Sequence, residues 1–426
     1  MKKVCLKTLG CKVNQYETQG VREDFSRWGY QEVDRDADIY VINTCTVTQE
    51  ADRESRSLIR ACRRENPTAK IVVTGCYVQK DEKTVLSLEG VTHLVRQHEK
   101  SRIPELLETR DGYVSALSLE KPRYLPLQIS DFKDHTRAFV KVQDGCDYRC
   151  AFCKVWVVRG RSVSRSLEAI LEEVKRLTQR GFREIVLTGV SLGLYGRDLQ
   201  KKCDILDVVS RLEAIESLDR IRLSSIDPID VTESLLDKLF SSRKCCRHLH
   251  LSLQSGDDGV LSRMRRNYTS AQYRALIRKL RQRDPDFSVT TDILVGFPGE
   301  SEREFENTLA LVREIDFTRV HLFPYSHREG SSASGFREQV DSETIRLRLA
   351  RMRQASREAS FRYRRKLVGK KAAVLAECAE KDGFLSGYSE HYVRIFFRGK
   401  KENLGRVLPV RIDSVTPNAT LGTEWR

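Results

Sequence analysis

The chain of 426 residues lacks any run of about 18 consecutive apolar residues, the length that a membrane-spanning helix requires. Its first apolar stretch, Met1 to Leu6, is too short for a secretory signal peptide, and no amphipathic anchor is evident. We therefore expect a soluble, cytoplasmic protein that does not bind membranes. A hydrophobic content of 40% is sufficient for packed cores, and the length favours two or three domains.

Twelve cysteines are present without a secretory signal, and disulfides are rare in a reducing compartment. Metal or cluster ligation therefore explains cysteines at recurring positions better. Cys146, Cys150 and Cys153 follow the strand-like run 138–142 with the spacing Cys-x3-Cys-x2-Cys. Three such thiols can hold three irons of a cubane iron–sulfur cluster and leave the fourth iron open to a bound molecule. An open iron indicates chemistry rather than simple electron storage.

A second set of three cysteines lies in residues 1–120, where strand-like runs alternate with helical stretches. This βαβαβ pattern predicts a parallel sheet. Each of the three cysteines lies within two residues of the end of a predicted strand, and parallel strands end at one edge of a sheet. We therefore expect a second cluster site, although packing is the alternative because cysteine is often buried. The candidate ligands are Cys11, Cys45 and Cys76, whereas Cys5 and Cys62 are interpreted as packing residues.

Residues 132–366 predict a partial barrel of six strand–helix units, after a linker at residues 121–137 that contains Pro122. Polar residues and glycines stand at the strand ends, where barrel folds place their chemistry. Each one alone is typical of a turn or cap, but together they predict a polar rim that binds a ribose or an amino-acid group. These candidate cofactor-binding residues are Gly189, Ser224, Ser252, Gln254 and Asp292, with Arg266 as a cation for a carboxylate.

The formal net charge of +15 favours a polyanionic partner, with nucleic acid ahead of anionic lipid. Residues 341–366 contain nine Lys or Arg and three Asp or Glu, which indicates either a solvated helix face or a binding surface. Residues 367–426 alternate short strand-like runs with charged turns and predict a small antiparallel barrel. Such barrels often bind RNA through exposed aromatic residues, although packing explains at least half of the candidates. The candidates are Tyr388, Tyr392, Phe396 and Phe397.

Together these motifs resemble the radical S-adenosylmethionine methylthiotransferases over nearly the whole chain. The central cysteines are similar to the superfamily signature whose open iron chelates S-adenosylmethionine, and the resemblance makes them catalytic. It also implies that residues 1–120 form a methylthiotransferase domain with an auxiliary four-iron cluster. Residues 132–366 would then form the radical barrel, and residues 367–426 a TRAM domain that binds RNA. The runs 291–300 and 321–326 closely repeat family motifs.

The branch of the family is indicated by the Cys-Lys-Val-Asn run at residues 11–14. It resembles the branch that acts on N6-threonylcarbamoyladenosine in tRNA, whereas the isopentenyladenosine branch usually has Cys-Gln-Met-Asn. The resemblance implies transfer of a methylthio group to C2 of that nucleoside at position 37 of the anticodon loop. It further implies two four-iron (4Fe–4S) clusters, S-adenosylmethionine, a flavodoxin or ferredoxin as electron donor, and a monomer. The chain departs from the family pattern at Trp156 and Val158, where Pro and Ala are common.

Several alternatives stay open. Within the same class of enzyme, the substrate would be N6-isopentenyladenosine in tRNA or a ribosomal protein. A redox protein with two clusters would use the same cysteines, but it would need neither the polar rim nor the basic C-terminal third. A non-catalytic RNA-binding iron–sulfur protein would explain the charge but would leave the open iron unused.

Overall fold

The structure is a computed structural model that describes residues 1–116 and 124–425. Its first unit is a six-stranded parallel sheet with the strand order β2-β1-β3-β4-β5-β6. The strands are β1 (Lys3–Thr8), β2 (Gln31–Glu32), β3 (Ile39–Thr44), β4 (Lys70–Gly75), β5 (Val91–Val95) and β6 (Tyr113–Val114). The helices are α1 (Lys12–Arg27), α2 (Gln49–Glu65), α3 (Cys76–Lys80), α4 (Glu82–Leu86) and α5 (Ile103–Thr109).

The predicted parallel sheet is confirmed, and it is wider than the three strands expected from the sequence. The central strand β3 is buried along its whole length, which explains its continuous apolar run, because helices cover both faces of a parallel sheet. Cys5 and Cys62 are buried in one hydrophobic cluster beside this sheet, as their interpretation as packing residues predicted. Three strands were missed: β2 and β6 have two residues each, too few to show a periodic pattern, and the five-residue β5 has its apolar run interrupted by Thr92 and His93.

The second unit is an open barrel of six parallel strand positions. A three-stranded sheet, β11-β10-β7, continues into a four-stranded one, β12-β13-β14-β15, because β11 and β12 form one strand interrupted at Ser224. The strands are β7 (Arg137–Lys141), β8 (Gln143–Asp144), β9 (Val163–Ser164), β10 (Glu184–Thr188), β11 (Arg220–Leu223), β12 (Ser225–Ile226), β13 (His248–Leu251), β14 (Ser288–Val295) and β15 (Arg319–Pro324). The predicted six-unit partial barrel is confirmed.

Most helices of the second unit cover the outside of the barrel, whereas the short helix Val155–Val158 lies against α3 of the first unit. The helices of the second unit are α6 (Val155–Val158), α7 (Leu167–Gln179), α8 (Ile205–Glu213), α9 (Glu233–Ser241), α10 (Asp258–Arg263), α11 (Ser270–Arg283), α12 (Glu302–Glu314) and α13 (Ser342–Arg365). Ion pairs with other parts of the protein neutralise part of the positive charge of the basic helix α13. Arg351 pairs with Glu302 at 2.6 Å, and Arg362 pairs with Asp316 at 2.8 Å. No helix among the described residues combines the length and the apolar character that crossing a membrane demands.

The third unit is a closed five-stranded barrel with the order β16-β17-β18-β20-β19, which confirms the predicted small barrel, although β18 and β20 pair in parallel rather than antiparallel. The strands are β16 (Lys371–Ala379), β17 (Phe384–Ser389), β18 (Arg394–Arg398), β19 (Val407–Val415) and β20 (Thr420–Glu424). Short 3-10 helices in the chain are Gln97–Arg102, Leu192–Leu194, Pro228–Asp230, Ser332–Gly335, Lys381–Gly383 and Lys401–Asn403. Phe397 is fully buried in the core of this barrel, so its alternative reading as a packing residue is the right one.

The third unit docks against the N-terminal ends of the central barrel strands. Arg222 donates hydrogen bonds to the carbonyls of Ser389 at 2.9 Å and Glu390 at 3.2 Å, and the ring of Tyr392 lies 4.7 Å from that of His248. Arg222 is itself held by the buried carboxylate of Glu184 at 2.7 Å. The C-terminal ends of the barrel strands therefore stay free to face the first unit.

The segment predicted as a linker is instead packed. Residues 124–136 contain neither helix nor strand, but Leu125, Leu127, Ile129 and Phe132 are buried in the main core. The hydroxyl of Tyr16 donates to the carbonyl of Leu127 at 2.9 Å. The charged and proline residues suggested an exposed linker, but alternate apolar side chains bury the segment. Pro122, which was part of the same prediction, lies outside the described residues.

A buried ionic network joins the first unit to the central barrel. The fully buried Glu17 of α1 pairs with Lys100, with Lys141 of β7 at 2.8 Å and with Arg159 at 2.9 Å. Burial alone would raise the pKa of Glu17, but the surrounding cations Arg159, Lys100 and Lys141 hold it well below its usual value. The sequence contained no signal for this contact, because its members are distant along the chain.

Replacing Glu17 with Gln leaves three buried cations short of one negative charge, so we expect a stability loss of roughly 3 kcal/mol. The control is Glu233→Gln, which removes a carboxylate that pairs with Lys279 and Arg283 in a half-exposed position. Loss of a surface pair changes stability by less than about 1 kcal/mol. Thermal unfolding of both variants measures the difference, and equal midpoints would contradict the importance of the network.

Candidate functional site

The three N-terminal cysteines lie at one edge of the first sheet, as predicted. Cys11 precedes α1, Cys45 follows β3, and Cys76 begins α3 directly after β4. Their thiols are close enough to influence one another. Burial is the main cause of the raised pKa of Cys45, and Cys76 and Cys11 each raise it further. Gly10 permits this approach: it has a φ of 94°, and a Cβ at this position would lie 2.6 Å from Cys45 Sγ.

The central cysteines lie on the loop after the first barrel strand. Gly145, with a φ of 69°, starts the loop so close to the carbonyl of Arg161 that a Cβ there would lie 2.0 Å from it. Two sulfurs already have donors: Val155 N–H reaches Cys153 Sγ at 3.4 Å, and Arg266 reaches Cys150 Sγ at 3.3 Å. Such donors stabilise thiolates and the negative charge of a cluster.

The three N-terminal cysteines and one central cysteine face a single cavity of about 500 Å³ between the first unit and the barrel. Its wall contains all three N-terminal cysteines and, from the central set, Cys153. Cys146 and Cys150 lie on the same loop, outside the wall. A space of this size lies within the range of small-molecule and cofactor sites. The sequence predicted two cysteine sites, and the structure adds that they share one cavity.

Five of the six predicted cofactor-binding residues line this cavity, namely Gly189, Ser224, Ser252, Gln254 and Asp292. The carboxylate of Asp292 accepts a hydrogen bond from Ser252 at 2.9 Å and lies 3.1 Å from His250 Nε2. Burial acts to raise the pKa of Asp292, but His250 and Ser252 hold it below its usual value. This end of the cavity therefore keeps an ionised acceptor.

Arg266 does not reach the cavity wall. Its buried guanidinium pairs with Asp227 at 2.6 Å and donates to the carbonyl of Ser252 at 3.3 Å, in addition to its contact with Cys150. Its charge therefore acts on the sulfur of the central loop and is matched by Asp227. The sequence indicated a cation near this site but not its partner.

Four cations of the cavity wall were not among the predicted site residues: Lys12, Lys154, Arg159 and Arg328. Lys12 and Lys154 each follow a predicted ligand cysteine directly, which was the one signal available in the sequence. Arg159 is matched by Glu17 and Asp144, each at 2.9 Å, and its charge lowers the pKa of Cys76 against the larger opposing effect of burial. The charged residues of the cavity wall are therefore mostly cationic, although apolar side chains such as Phe152 and Leu294 also line it.

The thiols are strongly perturbed by their surroundings. Burial raises the pKa of Cys45 and of Cys146 to about 12, and that of Cys153 to about 11. Because the thiolate is the metal-binding form, iron would have to displace protons from these side chains. Nearby donors such as Arg159 and Arg266 offset part of that cost.

Comparison with known proteins identifies the family. Residues 140–312 match the radical SAM superfamily, and residues 3–96 match an uncharacterized protein family, UPF0004. The threonylcarbamoyladenosine tRNA methylthiotransferase MtaB of Thermotoga maritima is 38% identical over 99% of this chain and 96% of its own length. The chain belongs to the radical SAM tRNA methylthiotransferase family. The Bacillus subtilis protein of the same name is 36% identical over 97% of this chain and 94% of its own length.

Other relatives in the family carry a different name. The tRNA-2-methylthio-N(6)-dimethylallyladenosine synthase of Pelotomaculum thermopropionicum is 35% identical over 97% of this chain and 95% of its own. Among solved structures, the radical SAM methyltransferase TsrM of Kitasatospora setae is 16% identical and has a TM-score of 0.56. That match covers 76% of this chain and 73% of TsrM, and it shows the fold alone.

Membership of the radical SAM superfamily implies a four-iron cluster and S-adenosylmethionine, and the central loop fits a cluster. It offers three thiols within eight residues, with a backbone N–H and a guanidinium directed at two of the sulfurs. Among the described residues, no three His, Cys, Asp or Glu side chains converge on the position of a single metal ion. A cubane spreads its cysteine ligands over separate irons, so it requires no such convergence.

Iodoacetamide will distinguish the buried thiols in the metal-free protein. Because burial raises the pKa of Cys45 and Cys146 to about 12, both thiols stay protonated at pH 8 and will react slowly. Their reaction rates should rise about tenfold for each unit increase in pH, because the thiolate is the reactive form. The control is the exposed Cys378, which we expect to react at least tenfold faster than either. Peptide mass spectrometry over time measures each rate, and equal rates at pH 8 would contradict the burial of these thiols.

Proposed function

We propose that this protein transfers a methylthio group to C2 of N6-threonylcarbamoyladenosine at position 37 in the anticodon loop of tRNA. The observation that carries the proposal is the shared cavity, whose wall contains Cys11, Cys45, Cys76 and Cys153. Two sulfur-rich sites that open into one space suit a reaction that activates a C–H bond and delivers sulfur to the same carbon. The four relatives named as threonylcarbamoyladenosine tRNA methylthiotransferases, at 35–38% identity, support the choice of nucleoside.

The proposal assigns each cysteine set a cluster. Cys146, Cys150 and Cys153 would hold the radical SAM cluster, and Cys11, Cys45 and Cys76 a second four-iron cluster. When bound, these groups supply reductive cleavage of S-adenosylmethionine and the sulfur that is transferred, chemistry that side-chain acids and bases do not provide. We further propose a flavodoxin or ferredoxin as the electron donor and a monomer as the working state.

The side chains of this chain would then position the reactants. Ser224, Ser252, Gln254 and Asp292 present hydroxyl, amide and carboxylate groups from the strand ends of the barrel, which suits the ribose and amino-acid parts of S-adenosylmethionine. Gly189 leaves room for close approach at the same rim. Arg266 would act through Cys150 Sγ, where a donor stabilises the negative charge of the reduced cluster.

The proposal assigns a separate role to each of three parts of the chain. Residues 1–120 would carry the auxiliary cluster, residues 132–366 the radical chemistry, and residues 367–426 would form a TRAM domain that binds RNA. A groove of about 480 Å³ between α13, β15 and the small barrel supports the last assignment. Its wall combines cationic and aromatic side chains, which suits phosphates and stacked bases: Arg319, Arg357, Arg364, Arg394, Tyr388, Tyr392 and Phe396.

The substrate base must leave the stack for its C2 to enter a cavity. An anticodon loop offers an unstacked purine at a small free-energy cost, whereas a duplex does not. The cationic character of the cavity and of the groove provides the attraction for the RNA backbone. The alternative substrate is N6-isopentenyladenosine in tRNA. Analysis of the modified nucleosides distinguishes it from threonylcarbamoyladenosine.

Anaerobic reconstitution with iron, sulfide, reductant and S-adenosylmethionine tests the proposed activity. The wild-type protein should form 5′-deoxyadenosine and should add a methylthio group to threonylcarbamoyladenosine in tRNA from a strain that lacks the modification. Cys150→Ala should form neither product, because only two thiols of the central loop remain. Liquid chromatography with mass spectrometry of the nucleosides provides the readout, and methylthiolation of isopentenyladenosine alone would overturn the choice of substrate.

Gly10→Ala tests the second cluster separately. The added Cβ would lie 2.6 Å from Cys45 Sγ, so we expect the variant to lose about half of the iron and sulfide that the wild type binds. The control is Gly29→Ala, which has a similar φ of 76° but no neighbouring atom within 4 Å of the new Cβ. Equal iron contents in the two variants would contradict ligation by Cys45.

A further inference from the structure

The cavity wall contains cations that form no ion pair with a carboxylate in the part of the chain that the structure describes. Among the described residues, no salt bridge within 4 Å involves Lys12, Lys154 or Arg328. Asp292 is the single acidic residue of the described wall, and His250 and Ser252 already engage it. Cations in a half-enclosed space are costly without a partner, so this arrangement suits an anionic ligand.

Two of these cations lie between the cysteine sets. Lys154, which is 7% exposed, follows Cys153 directly. The guanidinium of Arg328 donates to the carbonyl of Thr46 at 2.7 Å, beside Cys45. Lys154 and Arg328 therefore reach the part of the cavity that separates the two cysteine sites. A substrate would have to lie there to contact both cysteine sites.

The nearest acidic side chains, Asp52 and Glu329, attract this pair only through space and form no ion pair with it among the described residues. Asp52 is buried in the neighbourhood, but it pairs with Lys80 and accepts a hydrogen bond from the hydroxyl of Thr46. Glu329 is exposed, and no ion pair within 4 Å joins it to Lys154 in the described residues. Lys154 and Arg328 thus contribute two positive charges to the cavity.

We propose that Lys154 and Arg328 bind the carboxylate of the threonylcarbamoyl group and so select this nucleoside over one with an apolar N6 substituent. This inference rests on the proposed function. A lysine and the planar donor fork of an arginine form strong charge-assisted hydrogen bonds with a carboxylate. An isopentenyl group has no acceptor, so it would leave the buried Lys154 and the partly buried Arg328 without an anionic partner.

Lys12 is the remaining cation, and its position differs. Its Nζ lies 6.0 Å from the centre of the Phe139 ring on β7, inside the barrel and away from the seam between the cysteine sets. Lys154 and Arg328, which lie between the two cysteine sets, are therefore the pair that we expect to bind the carboxylate. Thr46 and Ser326 add polar groups to the wall beside it.

Two anticodon stem–loop RNAs that differ in one group test this inference. One carries threonylcarbamoyladenosine with its free carboxylate, and the other carries the primary amide of the same side chain. Dissociation constants are measured anaerobically with reconstituted wild-type protein, Lys154→Met, Arg328→Gln and the control Lys83→Met, which removes an exposed lysine outside the cavity. Iron content and the visible spectrum of each variant are recorded, and methylthiolation of both RNAs is followed.

We expect the wild type and Lys83→Met to bind the acid at least about tenfold more tightly than the amide. Lys154→Met and Arg328→Gln should bind the two RNAs with similar affinity while retaining the wild-type iron content. If the wild type methylthiolates the acid RNA but binds both RNAs equally, the inference is wrong and the proposed function stands. The same holds if both cavity variants keep the full preference. If the wild type methylthiolates neither RNA, the proposed function fails, and the inference fails with it.

Discussion

The cavity depends on one buried carboxylate, that of Glu17. From α1 it holds Lys141 at the end of the first barrel strand and Arg159 on the segment that follows the central cysteine loop. Arg159 in turn lowers the pKa of Cys76, against the larger effect of burial. This acidic side chain thereby ties α1 of the first unit to the barrel, together with contacts such as the hydrogen bond from Arg159 to Asn14 at 2.6 Å. Removing it would leave three buried cations without their common partner.

The docking of the third unit complements this arrangement. Because Arg222 and Tyr392 occupy the N-terminal end of the barrel, the C-terminal strand ends alone face the cavity. The groove with Arg319 and Arg357 then lies beside the small barrel, away from the wall that contains the cysteines. A long polyanion such as RNA can contact such a groove while one of its nucleotides enters the cavity.

The sequence predicted the parts that depend on local pattern. Strand ends placed Cys11, Cys45 and Cys76 at one edge, and the polar rim with Ser252 and Asp292 followed from the rule that parallel strands end together. The sequence did not predict contacts between distant segments. These are the pairs of Glu17 with Arg159 and of Arg266 with Asp227, and the burial of residues 124–136. Such pairs have no spacing that a sequence pattern can reveal, because the fold alone brings them together.

We propose that both cysteine sets serve one cavity with two clusters. Electron paramagnetic resonance of the reduced, reconstituted protein tests it most directly, because paramagnetic centres that face the same cavity relax each other. We expect a signal from the central cluster that is broadened and relaxes faster in the wild type than in a variant without Cys11, Cys45 and Cys76. Identical signals and relaxation in the two proteins would contradict it.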